Sequence, residues 1–306
     1  MKKIDVFSHF LTKEYGKRFI SMAPDAQKAY EFGRPAMTDI DIREALMRRH
    51  PDVLQILTMG NVPPEHYVSA QNAIELCNIG NEEMAELVRT KPDLFYGAVG
   101  TIPVDDVDAC LKVIDRCVND LGLLGIQLFS TLERESFAEP KYRPIFALMA
   151  ELDRPIWVHP AAKMPSVDKG MFIWPYESSR FMYDVVSAGI FEDYPDLKII
   201  IHHAGGMVPH FRERVRTIMD KHDDRYFKYF YTDTALYGNT PGLMCAFDYY
   251  GADHMMFGTD APLGAPLHSN GNTNQTIMAI EKMDISAEDK EKIFYGNAIE
   301  MFVAPL

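Results

Sequence analysis

The sequence predicts an α/β fold, a (β/α)8 TIM barrel with its active site at the C-terminal ends of the strands. Three observations carry that prediction. Short apolar or β-branched runs recur along the 306 residues, each followed by a longer segment with helical spacing. The runs are apolar on both faces, as in Leu197-Lys198-Ile199-Ile200-Ile201, which suits a parallel sheet covered by helices. Eight such runs alternate with helices over roughly 250–300 residues, the usual size of a barrel. An open doubly wound sheet is the competing architecture. It needs a Gly-rich phosphate turn after an early strand, and Ser8-His9-Phe10 stands there instead.

The first strand is Lys3–Phe7. Leu11–Ala36 after it is mixed, with Tyr15, Phe19, Tyr30 and Phe32, and reads as a wall, a lid or an oligomer contact. Thr38-Asp39-Ile40-Asp41 starts a helix that runs to about His50. Strands follow at Val53–Met59 and Phe95–Thr101. Val107–Leu121 is helical, with apolar residues at Val107, Cys110, Leu111, Val113, Ile114 and Val118. Gly125–Phe129 and Pro155–His159 are the next strands. Ala161–Trp174 is a second irregular stretch, with Lys163, Met164, Pro165, Met171, Phe172 and Trp174. Leu197–His203, Tyr229–Thr234 and His254–Asp260 complete the eight strands. Ser286-Ala287-Glu288-Asp289 opens a last helix that ends near Phe302. With no repeat, low-complexity tract or linker, residues 1–306 read as a single domain.

Composition excludes several classes. Hydrophobic residues make up 47% and charged residues 25%, which is ordinary for a globular chain. The formal charge of −13 makes it a poor phosphate binder, so no nucleic-acid partner is expected. No apolar run is long enough to span a membrane, and Asp5 interrupts any signal-peptide pattern, so a cytoplasmic location is expected. Cys77, Cys110, Cys117 and Cys245 form no CxxC and read as reduced, mostly buried thiols.

The polar residues gather at strand ends. His9 lies just past strand one, His159 ends strand five, His202 and His203 end strand six, and Asp260 ends strand eight. A barrel brings these ends to one mouth, where catalytic residues sit. Imidazole and carboxylate together suit a divalent metal. Any one histidine alone reads as packing; four strands ending this way do not. Neighbouring residues point to opposite faces, so only one of His202 and His203 should face the mouth. His203 is preferred, because Ala204-Gly205-Gly206 lets a ligand approach, and His202 then reads as structural. Asp233, near the end of strand seven, reads as a hydrogen-bonding residue of the mouth or as the start of a helix.

With these residues in view, the chain resembles the amidohydrolase superfamily, in its amidohydrolase-related branch. That branch contains aminocarboxymuconate semialdehyde decarboxylase and γ-resorcylate decarboxylase. The resemblance spans the whole chain. It rests on Ile4-Asp5-Val6-Phe7-Ser8-His9, Trp157-Val158-His159-Pro160, the run from Phe191 to Gly206, Phe257-Gly258-Thr259-Asp260-Ala261-Pro262, and Tyr295-Gly296-Asn297-Ala298. It implies metal ligands at His9, His159 and Asp260, and catalytic roles for His203 and Asp260. It implies one divalent metal, zinc before manganese, and a homodimer or homotetramer. Members usually open with His-x-His or Glu-x-His, so Phe7 stands where a further ligand is expected.

The function favoured by the resemblance is a metal-dependent, non-oxidative decarboxylase, a carbon–carbon lyase of a small aromatic or enol carboxylic acid. Protonation of the carboxyl-bearing carbon by Asp260 or His203 would precede loss of carbon dioxide. Phe7, Phe172 and Trp174 would flank a planar ring, and Arg180 would meet an anionic group or else pair with Glu177 on its helix. A metal-dependent hydrolase or hydratase of a lactone, amide or other small carbonyl compound uses the same four residues. A metal-free binding protein is the third reading, motivated by Phe7.

Overall fold

The computed structural model describes residues 1–27, 35–60, 63–131, 136–161, 167–219, 224–263 and 271–302. Among the described residues eight parallel strands are defined: β1 (Lys3–Phe10), β2 (Val53–Met59), β3 (Phe95–Ala98), β4 (Gly100–Thr101), β5 (Ile126–Thr131), β6 (Ile156–Ala161), β7 (Ile199–Ile201) and β8 (Tyr231–Thr232). They pair as β1-β2-β3 and β4-β5-β6-β7-β8. Backbone bonds continue the pairing where strand geometry is irregular. Val99 N–H donates to Leu57, Leu124 N–H to Ala98, and Met256 N–H to Thr232. Val6 N–H then donates to Phe257 and His9 N–H to Ala261, which brings the last segment back to β1.

Four predicted strands are shorter or less regular than the apolar pattern suggests. Tyr229–Thr234 is reduced to β8, behind a 3-10 helix at Asp224–Tyr229. Phe95–Thr101 is split at Val99 into β3 and β4. Leu197–His203 shrinks to β7, because His203 and Ala204 turn into the left-handed region at φ 60° and 54°. His254–Asp260 begins in a 3-10 turn, Ala252–His254, and touches its neighbours through single bridges at Met255 and Ala261.

The longer helices between the strands are α1 (Lys13–Met22), α2 (Ile40–Met47), α3 (Ala70–Thr90), α4 (Val107–Asp115), α5 (Arg143–Glu151), α6 (Val167–Ser187), α7 (Val208–Ile218), α8 (Thr240–Tyr250) and α9 (Gly271–Glu281). The predicted caps are formed. Asp39 accepts from Asp41 and Ile42 N–H at 2.9 and 3.2 Å, and Ser286 accepts from Asp289 N–H at 3.0 Å. Each such cap contributes about 1 kcal/mol. The predicted irregular stretch 11–36 contains α1, while Tyr30 and Phe32 lie outside the described residues. In the stretch 161–174 the helix α6 already begins at Val167, and Lys163, Met164 and Pro165 lie outside the described residues.

The core divides in two along the strands' alternation. Ile156, Val158, Ile199 and Ile201 face outward into the layer under the helices. Phe7, Ile56, Trp157, Ile200 and Met256 form a separate inner cluster, with Phe302 stacked on Trp157 at 5.1 Å. Two residues further along the same strands stand His9, Thr58, His159 and His202. Side chains two apart share a face, so the apolar inner cluster is the floor beneath these polar residues.

Candidate metal centre

His9, Ser8 and Phe10 pair with Thr58, Leu57 and Met59 of β2, and Phe129 pairs with His159. Val158 pairs with Ile201, so His159 and His202 leave their strands at the same level. His9, His159, His202 and Asp260 are all buried, and one donor atom from each lies within 4.8 Å of the others.

Each imidazole is oriented by a bond on its Nδ1 side. His9 Nδ1 and Thr58 Oγ1 are 2.8 Å apart, and His159 Nδ1 lies 2.7 Å from the carbonyl oxygen of Pro160. His202 Nδ1 bonds Asp233 Oδ2. The Nε2 atoms of His9 and His202 face Asp260 Oδ1 at 2.9 and 3.4 Å. Outer-shell partners of this kind fix the tautomer and aim of metal-binding histidines. Asp260 itself sits at φ 62°, with its N–H donating to Phe7 at 3.0 Å. Its Oδ2 accepts from the Tyr237 hydroxyl.

The electrostatics follow from burial and these contacts. Burial alone would raise the Asp260 carboxyl, but His202 and His9 outweigh it and hold it well below the usual carboxylate range. Burial opposes charge on His202, yet the Asp233 and Asp260 carboxylates raise it to about 9. Burial lowers His9, and burial with its imidazole neighbours holds His159 well below the usual imidazole range. Burial and His202 push His203 down to about 3. One carboxylate and three clustered imidazoles are a donor set fit for a divalent cation.

The structure brings four sequence-predicted residues to this place and adds others. His203 lies beside the cluster, its ring 3.8 Å from that of His202 and 6.4 Å from that of Trp174. The expectation that His202 turns away is corrected. His202 keeps the face of Ile200, and His203 comes round beside it because its backbone is left-handed rather than extended. Phe7 is fully buried and stacks on His202 at 3.8 Å, with 20° between the rings. Phe172 is 77% exposed on α6. Arg180 lies 3.8 Å from Asp184 rather than pairing with Glu177. Sequence reasoning missed Thr58, Tyr237 and the bond of Asp233 to His202. The even spacing of Ile56 with Thr58 and of Ile200 with His202 was the available signal.

The sequence profile described as amidohydrolase matches residues 4–303. The chain is 26% identical to the 6-methylsalicylic acid decarboxylase of Penicillium expansum, over 99% of this chain and 96% of that one. It is 27% identical to the gamma-resorcylate decarboxylase of Polaromonas sp., over 98% of each. A crystal structure of a dihydroxybenzoic acid decarboxylase from Polaromonas sp. JS666 holds bound manganese and the inhibitor 2-nitroresorcinol. It is similar with a TM-score of 0.82 and 25% identity, covering 99% of this chain and 97% of that one.

Proposed function

Since this chain belongs to the amidohydrolase family, we propose that it is a metal-dependent, non-oxidative decarboxylase of small aromatic carboxylic acids. The observation that supports this most is the convergence of His9, His159 and Asp260, with His203 and Trp174 alongside, above an apolar floor. His9, His159 and Asp260 would hold the cation. Zinc suits this donor set, and manganese is the alternative. When bound, it would supply orientation and charge stabilisation for a substrate carboxylate and an adjacent oxygen.

In this reading Trp174 and His203 form one wall for a planar ring, with Phe7 beneath and Phe172 at the outer edge. Arg180 is the cation available to a second anionic group. Asp260 carries the proton to the ring carbon that bears the carboxylate. The carbon–carbon bond then breaks, its electron pair returns to the ring, and carbon dioxide leaves. Tyr237, 45% exposed and bonded to Asp260, gives that carboxyl a route to solvent for its next proton. His203, neutral through burial, is the second candidate for moving the proton.

The protein would act in the cytoplasm, in keeping with its four free cysteines. It would do so as a homodimer or homotetramer. A groove of about 320 Å³ between α6 and α7 is lined by Tyr183, Met207, Phe211 and Ile218, and a second copy of this chain would cover it. Tyr183, Phe211 and Ile218 are exposed along that face.

The test is release of carbon dioxide from 2,6-dihydroxybenzoate and 2-hydroxy-6-methylbenzoate by protein loaded with zinc or manganese. Turnover that is lost on chelation and restored by metal supports the reading. Hydrolysis of lactones or amides without carbon dioxide release would overturn it.

A further inference from the structure

The metal reading above names three ligands, yet a fourth donor stands among them. We propose that His202, held by Asp233, is the fourth protein ligand of the cation, and that it completes the set with His9, His159 and Asp260. The inference rests on that metal reading and deepens it.

Three observations carry it. First, His202 is held in the same way as its neighbours. All three rings are engaged through Nδ1, by Thr58, Pro160 and Asp233, so each Nε2 is aimed at the centre, and His202 would release its Nε2 proton to solvent as the cation binds. A carboxylate behind an imidazole is a common outer partner of a metal ligand. Second, the spacing fits. The ring centroids of His9, His159 and His202 lie 4.8, 5.2 and 5.7 Å apart in pairs. One donor atom from each of the four side chains lies within 4.8 Å of the rest. Bonds of about 2.0–2.2 Å in tetrahedral geometry place donors about 3.3–3.6 Å apart, so a small contraction suffices.

Third, the neighbouring position offers no donor. The Phe7 ring lies 3.8 Å from His202, 5.9 Å from His9 and 6.2 Å from His159. It occupies a place beside the cluster and contributes a flat apolar platform. That platform and Asp233 hold the His202 ring on its face and at its Nδ1 edge. His203, in contrast, is outside the four-residue group, and its buried Nδ1 has no partner among the described residues. The two adjacent histidines therefore divide the work, His202 on the cation and His203 towards the substrate.

The experiment is metal titration of the stripped protein, read by manganese paramagnetic resonance and by the visible spectrum of bound cobalt. The variants are His202→Ala, His202→Asn, Asp233→Asn, and Phe7→His/His202→Ala. Asparagine mimics the Nδ1 edge that faces Asp233 but lacks Nε2, so it protects the fold while removing the donor. Expected are a loss of about 10–100-fold in affinity for both His202 variants and about tenfold for Asp233→Asn. The cobalt spectrum should change with the loss of a ligand. The double variant should regain most of the affinity, because residue 7 is close enough to return an imidazole. Folded His202 variants that bind as tightly as the original chain, with an unchanged cobalt spectrum, would overturn the proposal. If the unmodified chain binds no metal at all, the metal reading itself falls and takes this inference with it.

Discussion

Asp5 and Glu177 are both buried carboxylates beside the site, and the chain treats them in opposite ways. Asp5 lies in β1 and faces the segment that carries Asp260. Its oxygens accept from Thr259 N–H and Oγ–H at 3.0 and 2.6 Å, from Gln55 at 3.0 Å and from Phe7 N–H at 3.3 Å. Gln55 accepts in turn from the buried Arg43 at 3.0 Å. Glu177, on α6, accepts a single bond at 3.1 Å, from Ser130. Its other oxygen has no partner among the described residues, and neither have Ser178 Oγ and His203 Nδ1.

The difference teaches how the two sides of the site are used. On the Asp5 side the backbone before and after the candidate ligands is fixed by bonds within the chain, before any ligand arrives. Behind Gln55 the Nη1 and Nη2 atoms of Arg43 are unmet among the described residues, but the Asp5 carboxylate itself is fully met. On the α6 side a carboxylate oxygen, Ser178 Oγ and His203 Nδ1 are unmet, each at a cost of about 1–3 kcal/mol. Under the proposed reading that is the side that receives the substrate.

The largest expected effect lies on the Asp5 side, at a candidate ligand. Asp260→Ala should lower metal content and affinity by at least about a hundredfold, more than an outer partner would, and abolish turnover. Elemental analysis of the purified variant checks it, and full metal occupancy would break the contrast. Next is Asp5→Ala, which unfastens Thr259 and leaves Arg43 without its counter-charge. Urea unfolding should show a loss of about 3–5 kcal/mol, and a loss below about 1 kcal/mol would mean the network is ornamental.

Glu177→Gln tests the other side with a smaller, pH-dependent effect. Burial raises the Glu177 carboxyl from 4.5 to about 7, against the opposing bond from Ser130. A raised carboxyl favours the folded state only while protonated. Its contribution is full below about pH 4.5 and is lost as the pH rises through about 7. The glutamine variant should thus match the original chain in acid and exceed it by about 2 kcal/mol near pH 8. Melting curves across that range decide it, and identical pH profiles would show that Glu177 is already satisfied. The smallest effect is expected at the rim. Ile218→Ser, on α7, should change monomer stability by no more than about 0.5 kcal/mol, while sedimentation shows a smaller assembly.

Much of this was legible in the residues. Asp39 and Ser286 announce their helices because a short side-chain acceptor before an apolar-periodic run caps the free N–H groups locally. His9, His159 and Asp260 could be placed at the strand ends because strand runs are local too. The His202–His203 pair was not legible in the same way. Alternation alone says that one of two adjacent side chains faces in, and it does not say which.

What the sequence by itself determined is the alternation of strands and helices, the parity of each strand, and a polar layer two residues beyond an apolar one. These are properties of single segments, set by the period-two geometry of a strand. What only the tertiary structure decided is the register that levels His202 with His159, and the left-handed turn that brings His203 alongside. That turn depends on distant residues. Asp233 accepts from Ala204 N–H at 3.3 Å, and Gly205, at φ 76°, has no room for a Cβ against Tyr250. A backbone conformation held by contacts so far apart in the chain is fixed only when the barrel assembles.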